Sequence, residues 1–315
     1  MKYKIFVDGQ FGTTGLKIHD MLSARDDLEV LTIQEKDKKN LTIKQKLINQ
    51  ADLVFLCLPD AASKESVKLI TNDTTKVIDA STAHRTEDDW IYGIPELNSK
   101  QRENIKNSKR VCVPGCHATG FIMAINPLIE NNIISKEQKL ICHSITGYSG
   151  GGKALIDVYE AEENRGIFES QRPYALKLDH KHLPEMKYVL GLDTPPLFTP
   201  SVGNFAQGML VISYLVKDEL LQSVSKKEVL KLYQEYYKNE QFVKIIKDDI
   251  EYLDDGFLDA MKCNNTNSIE ISVYENNDYM LIISRLDNLG KGASGAAVQN
   301  MNIMLGLDEN LGLKY

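Results

Sequence analysis

Three glycines spaced three apart, Gly9, Gly12 and Gly15, stand between a short apolar run, Tyr3–Asp8, and a stretch with helical apolar spacing at Leu16, Met21 and Leu22. A strand, then side-chain-free backbone, then a helix start presents unpaired N–H groups to an anion, and a dinucleotide pyrophosphate is the ligand this arrangement suits. The pattern is G-x-x-G-x-x-G rather than G-x-G-x-x-G, but the physical need for close backbone approach is the same. Glycine turns also occur without ligands; the strand–turn–helix setting is what favours a cofactor. Thr13 and Thr14 lie inside the turn. After the next strand, Glu35 would favour NAD, whereas Lys36, Lys38 and Lys39 would suit a 2′-phosphate, and the sequence leaves both open.

At ~150 residues per domain, 315 residues imply two domains. The first part alternates strand and helix: Tyr3–Asp8, Leu16–Ala24, Glu29–Ile33, Ile43–Gln50, the fully apolar Leu53–Leu58, Ala61–Ile70 and Lys76–Ala80. That alternation predicts an α/β doubly wound parallel sheet. The remainder has strand-like runs at Leu140–Ile145, Met209–Val216, Ser268–Tyr274 and Tyr279–Arg285, separated by helical stretches at Thr119–Glu130, Lys153–Glu163, Lys226–Asn239 and Ala293–Leu305. Short polar turns such as Glu275–Asp278 point to an α+β domain with a mostly antiparallel sheet. The boundary falls near Pro114, dividing a dinucleotide-binding domain, 1–115, from a second domain, 116–292. A C-terminal helix at about 293–315 is expected to pack back on the first.

Acidic residues outnumber basic ones, 44 to 37, which argues against general nucleic-acid binding. No apolar run approaches the ~20 residues that span a bilayer, and the N-terminus has no room for a signal peptide. No membrane association and a cytoplasmic location are expected. The five cysteines, at 57, 112, 116, 142 and 263, form no CxxC pair, so neither a disulfide framework nor a metal site is expected.

Four of these thiols look ordinary; Cys116 does not. Pro114–Gly115–Cys116–His117–Ala118–Thr119–Gly120 opens an apolar helix, and a thiol at a helix N-terminus is stabilised as thiolate, with backbone N–H groups at hand for an oxyanion. His117 is adjacent, yet neighbours on a helix do not face each other. The other histidine cluster, His180–Lys181–His182–Leu183–Pro184–Glu185, offers acid/base partners, with Glu185 able to orient a ring. Gly147–Lys153 formally matches both G-x-S-x-G and G-x-x-x-x-G-K. Ala154 stands where a P-loop needs Ser or Thr, so an ATP site is rejected; Ser149 and Lys153 remain able to face an anionic group. Asp79–Arg85 follows a strand at the carboxyl edge of the sheet, where ligands bind. It supplies Ser81 as a cofactor candidate and Arg85 as an anion clamp, and Arg110 is a second clamp. Asp287–Gly295 is another glycine-rich helix start.

Together these stretches resemble the shorter branch of the N-acetyl-gamma-glutamyl-phosphate reductase family of arginine biosynthesis. The likeness rests on Asp8–Gly15 (DGQFGTTG), Trp90–Leu97 (WIYGIPEL), Pro114–Gly120 (PGCHATG), Gly147–Lys153 (GYSGGGK), His180–Met186 (HKHLPEM), Phe198–Met209 (FTPSVGNFAQGM) and Asp287–Met304. It departs at His117, where the family more usually has an aromatic residue. The resemblance implies a glyceraldehyde-3-phosphate-dehydrogenase-like architecture, with 116–292 as catalytic and oligomerisation domain in a homodimer or homotetramer. It implies Cys116 as nucleophile, His180, or else His182, as acid/base, and an acyl-phosphate substrate. Gly9, Gly12, Thr13, Thr14 and Gly15 would cradle NADP, with Asn288 and Gly290 near the nicotinamide. Aspartate-semialdehyde and acetylaminoadipate-semialdehyde dehydrogenases are the nearest alternatives, and a non-catalytic dinucleotide sensor is a more distant one.

Overall fold

Strand–helix alternation builds the first unit of the chain. The computed structural model describes residues 2–247, 253 and 255–315. One unit comprises Met1–Pro114 with Ala293–Lys314, the other Gly115–Gly292 with Tyr315. In the first, the order is β1 (Tyr3–Asp8), α1 (Thr13–Ser23), β2 (Leu28–Leu31), α2 (Leu41–Gln50), β3 (Leu53–Leu56), α3 (Asp60–Lys68), β4 (Lys76–Asp79), β5 (Ile91–Tyr92), α4 (Gln101–Asn107) and β6 (Arg110–Cys112). Among the described residues six strands form one sheet in the order β2-β1-β3-β4-β6-β5, and every pair is parallel. All of β3 is buried, as a strand covered on both faces must be. The glycine turn leaves the carboxyl end of β1, where the strand order reverses between β2 and β3; such switch points are where ligands bind.

The late helix α9 (Gly295–Leu305) completes this unit, with Ala296 to Met304 wholly buried. Ala297, Val298 and Met301 share one core with Ile5, Ile18, Ile78 and Val111. Its buried amides are met by the WIYGIPEL stretch: Asn300 Nδ2 donates to the Gly93 carbonyl at 2.9 Å and Gln299 Nε2 to Glu96 at 2.8 Å. A Cβ on Gly93 would lie 2.8 Å from Asn300 Nδ2. This stretch is therefore a seat for α9.

Two buried carboxylates end the central strands. Asp8 accepts from Ser66 at 2.7 Å and pairs with Lys44 at 3.1 Å. Asp79 accepts from Ser63, the Ser81 hydroxyl and the Ser81 N–H at 2.7–2.9 Å and lies 2.6 Å from His84 Nδ1. His84 in turn stacks on Trp90, ring centroids 4.1 Å apart. Burial raises the Asp79 carboxyl, but the hydrogen bonds from His84, Ser81 and Ser63 outweigh it and hold the pKa below the ordinary value. Because the folded pKa lies below the unfolded one, this contribution is full above about pH 4 and is lost as pH falls through the folded pKa. Asp79→Asn is expected to cost about 3 kcal/mol at pH 7 and to flatten the acid limb of the stability curve below pH ~4. Urea titrations across pH check both.

The second unit runs α5 (Cys116–Glu130), β7 (Ile141–Gly147), α6 (Gly152–Glu160), β8 (Arg172–Pro173), α7 (Leu183–Leu190), β9 (Leu197–Gly203), β10 (Met209–Val216), α8 (Lys226–Tyr236), β11 (Val243–Ile245), β12 (Ile269–Glu275) and β13 (Tyr279–Leu286). Its sheet order is β11-β12-β13-β10-β7-β9-β8. β12, β13, β10 and β7 are joined antiparallel. β7 and β9 are parallel, because α6 and α7 make the crossover between them. The sheet is thus mixed, with an antiparallel centre. Helix α5 lies on this sheet through Gly120, where a Cβ would sit 2.6 Å from Val211, and Ser284 Oγ donates to the Gly120 carbonyl at 2.9 Å.

Candidate active site

Cys116 is the first residue of α5, after an N-cap, Gly115, in extended conformation and without a side-chain cap. The first-turn N–H groups of an 15-residue helix therefore gather at a thiol of intermediate exposure. The other thiols have no such setting. Burial pushes Cys57 and Cys142 up, and Cys263 up to about 12, so these stay protonated at neutral pH.

Helix α7 carries the histidine motif to the same unit. His182 is its N-cap, and His180 Nδ1 accepts the His182 N–H at 3.1 Å, which leaves the His180 proton on Nε2. Burial and Lys181 push His180 down to about 4, so the ring is neutral at physiological pH. Glu185, expected at a ring, has a carboxylate oxygen on the Gly115 N–H at 3.0 Å. It thereby fixes the residue that caps the Cys116 helix, a contact that spacing in the sequence does not reveal.

His117 is the residue that sequence reasoning left as only a weak candidate. Adjacency on a helix argued against it, yet one ligand atom each from Cys116, His117 and His182 all lie within 4.8 Å of one another. Ser144 Oγ is 2.7 Å from His117 Nδ1 and Tyr174 Oη 2.9 Å from Nε2. The rings of His180 and His182 each lie 5.3 Å from that of His117, and Phe198 lies 5.2 Å from His117 and His180. Burial drives the His117 pKa well down, and the charges of His180 and Lys181 add to this. Burial first, and Cys116 second, push the Tyr174 phenol up, so it remains a proton donor.

Gly292 is an outright omission. A Cβ there would stand 2.7 Å from the Cys116 Cβ, so only glycine leaves the thiol its position. Gly290 has an equally local reason, since its Cβ would meet the Thr266 carbonyl oxygen at 2.1 Å. Asn288, expected near a nicotinamide, donates to Ser149 at 3.0 Å and accepts the Gly208 N–H at 2.8 Å; its amide holds two loops together. Ser149 is buried by that contact, whereas Lys153 extends into solvent, 79% exposed, with Asp157 at 3.7 Å.

In the other unit the turn fits a dinucleotide. Gly9 has φ +95° and its Cβ would meet the Cys57 carbonyl oxygen at 2.2 Å; a Cβ on Gly15 would meet the Gly9 carbonyl oxygen at 2.2 Å. Gly12 differs, because its Cβ would have nothing nearer than 3.5 Å. It is also the exposed N-cap of α1, with no side-chain cap and no acidic residue in the first turn. That combination leaves an open, donor-lined cradle flanked by the half-buried Thr13 and Thr14. Lys38 Nζ lies 5.6 Å from the Phe11 ring centre in this turn and 3.1 Å from Glu35. Ser81, expected at the cofactor, donates its hydroxyl to Asp79 and accepts the Ala83 N–H at 3.1 Å. Arg85 is buried and reaches the Ala80 carbonyl at 3.2 Å. Arg110, expected to clamp an anion, instead meets Asp89 at the surface and lies over Trp90, so its charge is already matched.

Residues 9–107 match the model of the semialdehyde dehydrogenase NAD-binding domain, and residues 116–288 that of the semialdehyde dehydrogenase dimerisation domain. The chain is 46% identical to N-acetyl-gamma-glutamyl-phosphate reductase 2 of Nostoc sp., covering 99% of each chain. It is 42% identical to N-acetyl-gamma-glutamyl-phosphate reductase of Mesorhizobium japonicum, covering 98% of this chain and 100% of that one. Its fold is similar to aspartate semialdehyde dehydrogenase II of Vibrio cholerae, TM-score 0.72 at 13% identity over 97% of this chain and 99% of that one. Aspartate semialdehyde dehydrogenase of Candida albicans superposes with TM-score 0.67 at 16% identity, covering 99% and 100%.

Proposed function

The chain belongs to the semialdehyde dehydrogenase family, in its N-acetyl-gamma-glutamyl-phosphate reductase branch, and on that premise we propose that it reduces N-acetyl-gamma-glutamyl phosphate to N-acetylglutamate 5-semialdehyde with NADPH, releasing phosphate. The observation that carries this reading is the thiol at the start of α5 with imidazole nitrogens of His117 and His182 within 4.8 Å.

The chemistry follows from those groups. Cys116 Sγ attacks the acyl carbon, and the developing oxyanion is met by backbone N–H groups at the α5 N-terminus. His182 takes the thiol proton as the C–S bond forms and gives it to the phosphate oxygen as the C–O bond breaks, leaving a thioester on Cys116. His182 suits this better than His180, whose Nδ1 is tied to the His182 N–H and whose pKa burial lowers to about 4, which makes it a weak base. When bound, the nicotinamide supplies the hydride that reduces the thioester carbon. Cys116 then leaves as thiolate from the resulting thiohemiacetal and regains a proton from solvent through the same ring. Gly9, Gly12, Thr13, Thr14 and Gly15 are proposed to hold the pyrophosphate, and Lys38, standing at Phe11 of that turn, a 2′-phosphate. Arg85 and Arg110 are both proposed for the substrate phosphate; Arg110 would have to exchange its pairing with Asp89 to reach it.

A homo-oligomer is proposed with this reading. On one face of the second sheet Leu197, Ile141 and Tyr214 are cross-strand neighbours and all exposed, and Tyr279 extends the patch on β13. A second copy would cover it. Among the described residues no helix is long and apolar enough to cross a membrane.

The deciding experiment is phosphate-dependent reduction of NADP, and separately of NAD, with the semialdehydes of N-acetylglutamate, aspartate and acetylaminoadipate. Activity confined to the first with NADP is expected; inactivity with all three would overturn the enzyme reading. Gly292→Ala is expected to reduce kcat/KM about a hundredfold through displacement of Cys116, with NADPH affinity unchanged by fluorescence titration.

A further inference from the structure

We propose that Cys116, His117 and His182 form a binding site for a soft or borderline divalent cation, with zinc as its natural probe. Three ligand atoms from two helix starts lie within 4.8 Å of one another. Around zinc, bond lengths of about 2.0–2.3 Å place such atoms roughly 3.3–3.6 Å apart, so side-chain rotation of about an ångström closes the set. The donors are of the right type: a thiolate and two imidazoles suit zinc rather than magnesium or calcium. Supporting contacts are already built. Ser144 at 2.7 Å from Nδ1 and Tyr174 at 2.9 Å from Nε2 hold the His117 ring; the metal displaces one of the two while the other keeps the ring oriented, as partners outside a metal's own ligands do.

Three protein ligands leave a fourth position for water, the open form of a zinc site. On binding, the thiol proton goes to solvent and the sulfur is taken out of reaction. The device is thus a reversible metal block on the nucleophile. This consequence for turnover rests on Cys116 being the nucleophile; the binding itself does not. It also gives His117 a role that an aromatic residue at that position cannot fill.

The test titrates the intact protein with cobalt(II) as a spectroscopic stand-in, then with zinc in competition. One equivalent of cobalt is expected to produce thiolate-to-cobalt charge-transfer absorption in the near ultraviolet, displaced by zinc and abolished by prior alkylation of Cys116. His117→Phe is expected to weaken zinc binding at least about tenfold, with a circular dichroism melt to confirm folding. His182→Asn serves the same comparison should His117→Phe not fold. No charge-transfer band in the unmodified protein, or unchanged zinc affinity in a folded variant, overturns the site. Failure of the function reading is seen separately, as metal-free protein that turns over normally after Cys116 alkylation.

Discussion

Cys116→Ser is expected to fold, to bind NADPH with unchanged affinity and to lose at least about three orders of magnitude in turnover. The substitution keeps the size and position of the side chain, and α5 keeps its N-cap and its gathered N–H groups. The nucleophile's acidity changes. A hydroxyl is far harder to deprotonate than a thiol, a gap that an imidazole base such as the proposed His182 does not close, while burial makes His117 and His180 weak bases. An alkoxide also makes an ester, which accepts hydride less readily than a thioester does. Steady-state NADPH oxidation with the acyl phosphate, beside nucleotide fluorescence and a thermal melt, separates these effects. Near-wild-type oxidation by Cys116→Ser would remove Cys116 from the mechanism.

Gly15→Val comes next in size. A Cβ at 15 would lie 2.2 Å from the Gly9 carbonyl oxygen and 3.1 Å from Gln10 Cα, both backbone atoms of the turn itself. The turn must open, and its N–H groups then no longer converge. The KM for NADPH is expected to rise about a hundredfold, equivalent to about 2.7 kcal/mol, with a lowered thermal midpoint and an unchanged rate of Cys116 alkylation by iodoacetamide. Gly12→Ala makes the contrast, because a Cβ there has nothing closer than 3.5 Å. That variant should keep its thermal midpoint and raise the KM through contact with the nucleotide alone. Equal loss of stability in both variants would show that the turn is only a packing device.

The long periodic elements were legible because each has an apolar face of its own. β1 has the bounds read from the sequence, and β3, α2 and β10 lie within two residues of theirs. Short elements were not. Helix α4 is QRENIKN, with Ile105 its one apolar residue, and β5 has two residues. Helix α7 hid inside the histidine motif, whose chemistry drew attention from Leu183, Met186 and Leu190, the residues it buries. In the site, the thiol could be read from its helix-start setting, but its surroundings could not. Gly292 and Glu185 act on Cys116 and Gly115 from 176 and 70 positions along the chain, distances over which local pattern carries nothing. His117 was discounted by the rule for side chains mid-helix, which does not bind at a first turn whose neighbour comes from another element. Ser81, Asn288 and Gly290 sit in ligand-like motifs, and each also makes contacts within its own unit that local pattern did not reveal.

The placement of α9 sets an order on synthesis. Ribosomes release the chain from its N-terminus, and a nascent chain that has emerged as far as residue 290 carries almost all of the thiol-bearing unit. The nucleotide-binding unit at that moment still lacks the helix that supplies Ala297, Val298 and Met301 to its core and covers Gly93 and Glu96. The unit translated first is therefore finished last. Until α9 arrives, that unit's parallel sheet keeps apolar surface exposed, and damage to α9 is felt in the core shared with β1 and α1.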